Sequence, residues 1–118
     1  MNYNVDDRCK KEIKALGKKH RQLAVDLETF VQTHQAANDP GQSYDYRRNF
    51  FSSKNAAILH GSLKDPIRVV KARLHSTDLK DKSLRVIYLA NGRDLTLIEI
   101  YSKSQKPTED KRRWQAYK

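Results

Sequence analysis

The hydrophobic period of this chain changes once, near Ile67, and that switch limits the folds open to it. From Cys9 the less polar positions fall at Ile13, Leu16, His20, Leu23, Leu27, Phe30 and His34, steps of three and four that stripe one side of a helix. A single helix over that span would run about 39 Å at 1.5 Å per residue, long for a domain of this size. Gly17, followed by Lys18, Lys19 and His20, is the natural break. The spacing therefore predicts two antiparallel helices, over 6–16 and 20–35, with one helix bent at Gly17 as the alternative. His20 and His34 are expected as partly exposed seam residues rather than metal ligands.

Beyond Ile67 the period is two. Runs 67–75, 84–90 and 95–102 are rich in Val, Ile, Leu and Tyr, and the last two flank Asn91-Gly92, a strong hairpin signal. Arg93 and Asp94 can lengthen that loop by two residues without changing which side chains share a face. The expected architecture is α+β: two N-terminal helices packed on a small antiparallel sheet, a three-stranded meander, with a short C-terminal helix capped near Thr108. Trp114 would lie on the sheet, with Arg112 and Arg113 outward. One domain fills 1–118: helical hairpin 6–35, variable loop 36–66, meander 67–103 and C-terminal tail or helix 104–118.

The variable loop holds Asn38-Asp39-Pro40-Gly41, a turn signal, and then 43–51. There Tyr44, Tyr46, Phe50 and Phe51 interleave with Arg47 and Arg48. Such a stretch either closes the core beneath a loop or forms a surface for nucleic acid, since aromatic faces accept bases and guanidinium groups bind phosphate. Ser52 or Ser53 is positioned to cap a short helix through Leu59, with Gly61 ending it and Asp65-Pro66 turning the chain.

Charge narrows the partner. The 118 residues carry 24 Lys and Arg against 14 Asp and Glu, a formal net charge of +10, a potential that attracts polyanions. The single cysteine, Cys9, excludes an internal disulfide framework. The polar first residues do not read as a signal peptide, and no apolar run reaches the roughly 18 residues of a membrane span. A soluble cytoplasmic protein with no membrane partner is the expectation. With no carboxylate cluster, H-E-x-x-H, paired CxxC or glycine-rich phosphate loop in the sequence, neither a metal nor a nucleotide or other small-molecule cofactor is implied.

The first strand carries the clearest chemical signal. Val70, Ala72 and Leu74 alternate with Lys71, Arg73 and His75, giving one apolar face and one row of basic groups about 6.8 Å apart, a spacing similar to that of phosphates along a nucleic-acid strand. Arg85 lies inside Leu84-Arg85-Val86-Ile87-Tyr88, where an unpaired charge is costly. It needs an anionic ligand, a route to solvent, or an ion pair, with Glu99 or an aspartate as the competing explanation. A one-residue shift of register would change its face.

Lys71 with Arg73, Arg85 through Tyr88, and Tyr101 with Lys103, in that order after two helices, resemble the RelE/ParE superfamily, and RelE-type toxins of type II toxin-antitoxin systems in particular. The resemblance spans most of the chain from about Arg8. Such toxins open with a β-strand, for which residues 2–5 leave room for a stub. RNA-cleaving members carry an arginine just beyond the last-strand lysine, where Ser104 stands here. The place of their C-terminal aromatic is near Asp110, with Trp114 and Tyr117 as neighbouring substitutes.

The resemblance implies an mRNA endoribonuclease acting on the ribosome, neutralised by a cognate antitoxin protein, with attack of a ribose 2'-hydroxyl on the adjacent phosphate. Arg73 and Arg85 would hold the phosphate. Lys71, its pKa lowered by the arginines, or His75 would accept the proton. Tyr101 would stack or orient a base, and Lys103 or a C-terminal residue would protonate the leaving oxygen. His75, Arg47, Arg48, Arg112, Arg113, Trp114 and Tyr117 complete the expected RNA-contacting set. The alternative is a non-catalytic binding protein of the same fold, a ParE-like gyrase inhibitor or a decayed toxin that keeps antitoxin or RNA binding.

Overall fold

The computed structural model describes residues 3–52, 56–59, 67–74, 84–103, 105–106 and 108–115. Their elements run β1 (Tyr3–Val5), α1 (Asp7–Gly17), α2 (Leu23–Ala37), α3 (Tyr44–Phe51), β2 (Ala56–Ile58), β3 (Arg68–Arg73), β4 (Leu84–Asn91), β5 (Asp94–Ser102) and α4 (Lys111–Gln115). The fold is α+β, and the chain breaks its helical stripe after Gly17 as the spacing predicts. Asp6 caps α1 by accepting from Arg8 N at 2.9 Å, which satisfies one of the amide donors left open at a helix start.

The sheet is larger than a three-stranded meander. It has five strands in the order β1-β5-β4-β3-β2, and β1 pairs with β5 in parallel. Both additions cover edges that a bare meander would leave with unpaired backbone groups. The stub at 3–5 is a real strand, extended by Asp6 N donating to Leu97 O at 2.8 Å. At the other edge, the helix expected from Ser52 or Ser53 to Leu59 does not form. Residues 56–58 pair antiparallel with 70–72, and Leu59 N donates to Val69 O at 2.8 Å. An open strand edge outweighs the weak helical preference of Ala-Ala-Ile-Leu. The helix of this region comes earlier, as α3, where Ser43 Oγ accepts from Tyr46 N at 3.2 Å. The stretch read as a variable loop thus holds two ordered elements.

The β4–β5 hairpin closes on two residues. Asn91 pairs with Asp94, and Gly92 has φ +60° while no non-glycine residue among the described residues has a positive φ. Positive φ at the first central position alone is the pattern of a type II′ turn, which glycine adopts without steric cost. Arg93 Nη1 then reaches Asp39 Oδ2 at 2.9 Å, tying this turn to the one after α2.

The sheet is covered on both sides. Leu84, Val86, Tyr88 and Ala90 of β4 face Cys9, Leu23, Leu27, Phe30 and Val31 of α1 and α2, and Phe50 and Phe51 of α3 pack against that core. Val69, Ile87, Leu89, Ile98 and Tyr101 form the opposite layer with Trp114 of α4. His34 is not a partly exposed seam residue: at 5% exposure it is stacked on Phe30 with centroids 4.0 Å apart, and its Nδ1 lies 2.5 Å from Tyr88 Oη. Asn38 Nδ2 donates to the same hydroxyl at 3.0 Å. The aromatic stretch divides by helical phase. Phe50 and Phe51 turn inward, whereas Tyr44 and Tyr46 are 76% and 43% exposed.

Candidate nucleic-acid interface

A bulge in β5 decides which side chains meet. Ile87 lies opposite Glu99, but the next residue, Tyr88, lies opposite Leu97, so Ile98 is an extra residue in the ladder. Leu95, Leu97 and Ile100 face the helices while Ile98 and Tyr101 face the other way. Without the extra residue, Tyr101 would share the face of Leu95 and Leu97. With it, Arg73, Arg85 and Tyr101 lie in one row across three strands, each directly opposite the next.

Around that row is a shallow cavity of about 220 Å³, bordered by Lys71, Arg73, Arg85 and Lys103, with Ala56 and Ala57 at the β2 side. Like charges directly opposite on a sheet destabilise it, and Arg73 opposite Arg85 is such a pair. Arg85 is 9% exposed, and its Nη1 donates to Leu84 O at 3.1 Å. No carboxylate among the described residues pairs with it. Glu99, the expected competitor, is taken elsewhere: it pairs with Lys106, accepts from Asp110 N at 2.9 Å and has Arg113 Nη1 at 3.8 Å. A guanidinium has five donors in a fixed fork, so an anion in the cavity would meet unfilled donors.

Lys71 is held differently from the expectation of a lysine with a lowered pKa. Its Nζ is 3.0 Å from Glu109 Oε2. Burial disfavours its charge, but the Glu109 contact and the neighbouring Tyr101 outweigh this and raise its pKa above the usual lysine value. The carboxylate, not the arginines, dominates its surroundings, so Lys71 stays an ammonium. Glu109 responds in kind. Burial opposes its ionisation, yet its backbone hydrogen bond and those from Lys71 and Thr108 Oγ1 hold its pKa below the usual range.

Tyr101 is 5% exposed and packed in the apolar layer, so its ring is not offered to a base; Lys106 Nζ lies 5.4 Å from its centroid. Its hydroxyl is buried without a hydrogen-bond partner. Lys71 is near enough to act on its ionisation, but not in hydrogen-bonding geometry, and burial raises the phenol pKa above its ordinary value. It is a neutral donor beside the cations.

The C-terminal residues are mostly structural. Trp114, 4% exposed, is not a stacking platform. Arg113 does not point outward: it grips both oxygens of Glu12 at 2.8 and 3.0 Å and donates to Ile98 O at 2.6 Å. It binds α4 to α1 and to the bulge, because the buried Glu99 and the half-buried Glu12 draw it in. Arg112 is exposed, with Nε 3.5 Å from Asp110 Oδ1. On α3, Arg48 is exposed and Arg47 half-buried. His75, Ser104 and Tyr117 lie outside the described residues. Sequence reasoning missed Glu109, whose only signal was an acidic residue within a basic tail.

Among the described residues no group of three or more His, Cys, Asp or Glu side chains is placed to hold a metal, and no helix is long and apolar enough to cross a membrane. Cys9 is buried, and burial pushes its thiol up to about 12, which makes it unreactive. Compared with family models, curated proteins and solved structures, the chain has no match.

Proposed function

We propose that this protein is an RNA-directed toxin of the RelE type, an mRNA endoribonuclease restrained by a protein antitoxin. The observation that carries the reading is the cavity shared by Lys71, Arg73, Arg85 and Lys103, in which Arg85 is nearly buried with no carboxylate partner among the described residues. A phosphodiester answers that arrangement, and a charge-rich, preorganised site stabilises the phosphorane that forms when a 2'-hydroxyl attacks. The order β-α-α followed by a basic meander adds support from the fold.

The division of labour differs from the one the resemblance implies. Arg73 and Arg85 hold the phosphate oxygens, with Lys103 at the open side. Lys71, kept protonated by Glu109, acts as a fixed positive charge and not as the base. Proton acceptance falls to His75 or to solvent. A second reading, a non-catalytic nucleic-acid binder of the same fold, is favoured by one observation: Lys71 is occupied by Glu109 and Tyr101 is protonated, so no described residue in the cavity serves as a base.

The test is cleavage of messenger RNA by the purified protein, with and without ribosomes, beside the Arg85→Ala variant. Ribosome-dependent cleavage lost in that variant supports the toxin. Binding without cleavage under both conditions favours the second reading.

A further inference from the structure

Arg73 of β3 and Arg85 of β4 stand directly opposite each other, with Cα atoms about 4.5–5.5 Å apart as in any antiparallel pair. Along β3 the step between side chains on one face is longer, about 6.8 Å. The two guanidiniums therefore start close enough to meet on one phosphate group, rather than on successive phosphates of a strand. The cavity they border with Lys71 and Lys103 is small, about 220 Å³, and its β2 side is Ala56 and Ala57, whose side chains bring no charge and no hydrogen-bonding group.

The charge of the cavity says which kind of phosphate answers it. Glu109 holds Lys71, whereas Arg73, Arg85 and Lys103 have no carboxylate partner among the described residues. An internal phosphodiester brings a single negative charge, so cations gathered on it stay largely uncompensated and repel one another. A terminal phosphomonoester carries about −1.5 to −2 at neutral pH and adds a further acceptor oxygen. Arg85, 9% exposed and fixed by its bond from Nη1 to Leu84 O at 3.1 Å, offers its remaining donors to those oxygens in a set geometry. We propose that the basic cavity is a strand-end site, taking the terminal phosphomonoester of an RNA, at its 3' or 5' end, in preference to an internal phosphodiester. This rests on the RNA reading and deepens it: a phosphorylated end covers the same cations that a passing strand needs, so phosphorylated RNA ends compete with intact strands.

The test uses one short single-stranded RNA with 2'-O-methyl riboses, which cannot be cleaved by 2'-hydroxyl attack, bound to the full chain and read by fluorescence anisotropy. It is compared unphosphorylated, with a 3'-phosphate, with a 5'-phosphate, and with each phosphate capped as a methyl diester. A phosphate at one end is expected to tighten binding on the order of tenfold, the scale of one added hydrogen bond to a charged group, and the methyl cap should abolish the gain. Arg85→Ala and Arg73→Ala should each remove most of it, while replacing Lys18 and Lys19 with Ala should leave it intact. A gain at either end supports the site and tells which end enters. Equal binding of all five strands overturns the strand-end site and leaves the RNA reading standing. A gain that survives the methyl cap, or that survives both arginine variants, also overturns it. Inorganic phosphate that displaces the phosphorylated strand at equal concentration would reduce the cavity to a free-phosphate site and overturn the strand-end assignment. If no strand binds at all, the RNA reading falls with it.

Discussion

Lys71 Nζ lies 3.0 Å from Glu109 Oε2, so a carboxylate of the C-terminal segment already holds one of the four cations around the basic cavity. Glu109 stands where a phosphate oxygen could otherwise draw that ammonium. Glu109→Gln removes the charge while keeping the shape. It should strengthen RNA binding several-fold and steepen its salt dependence by about one unit, the effect of one more phosphate contact. Binding isotherms between 50 and 200 mM salt check this, and an unchanged slope would show that Lys71 does not face the strand.

Arg85 is the clean probe of chemistry. Removing Lys71 would strand a buried carboxylate, but no carboxylate of the described residues depends on Arg85. Arg85→Ala should lower the single-turnover cleavage rate about a hundredfold or more, roughly 2.7 to 4 kcal/mol for a preorganised charge donor, with a smaller effect on affinity. Lys18 and Lys19, exposed at the α1–α2 turn, act only through long-range attraction. Replacing both with Ala should weaken binding modestly and leave the rate of the bound complex unchanged. Equal, small effects from the two variants would mark Arg85 as part of a diffuse positive surface.

His34 makes stability depend on pH in a defined window. Its folded pKa of about 4 lies below its ordinary value of 6.5 because burial disfavours the imidazolium. The unfolded chain therefore binds the extra proton first as pH falls. The contribution is complete above pH 6.5, declines between 6.5 and 4, and amounts to about 3 kcal/mol in all at 1.36 kcal/mol per unit. Asp39, Glu109 and Asp110 all have lowered pKa values and act at more acid pH. Urea midpoints at pH 7, 5.5 and 4.5 should fall in the native chain, and the fall should largely vanish in His34→Phe.

Arg113 should matter for folding rather than for RNA. Its side chain is 8% exposed and faces Glu12 and the 1%-exposed side chain of Glu99. Arg113→Ala leaves the half-buried Glu12 and the buried Glu99 without their guanidinium, though Lys106 still pairs with Glu99, a loss that should cost about 1–3 kcal/mol. Thermal unfolding should register it strongly, whereas the salt slope of RNA binding should not change. A stable Arg113→Ala protein with a reduced slope would return Arg113 to the RNA surface.

The α+β class, the break at Gly17, the three long strands and the turn at Gly92 were all legible in the sequence, because each rests on local rules of period, capping and backbone freedom. So were Lys71 and Arg73 on one strand face, since alternation along a strand needs no partner. Tertiary structure decided the rest. Whether Ala56–Ile58 became helix or strand depended on the open edge of β3. Whether Tyr101 and Lys103 joined the basic row depended on one extra residue at Ile98, which no local pattern announces. The protonation of Lys71 was set by Glu109, 38 residues away, and the inward turn of Arg113 by Glu12, 101 residues away. Period and propensity act over a few residues, whereas charge and burial act between whatever the fold brings into contact. The sequence therefore determined which cations share a strand, and only the packed sheet decided which of them are free to meet an anion.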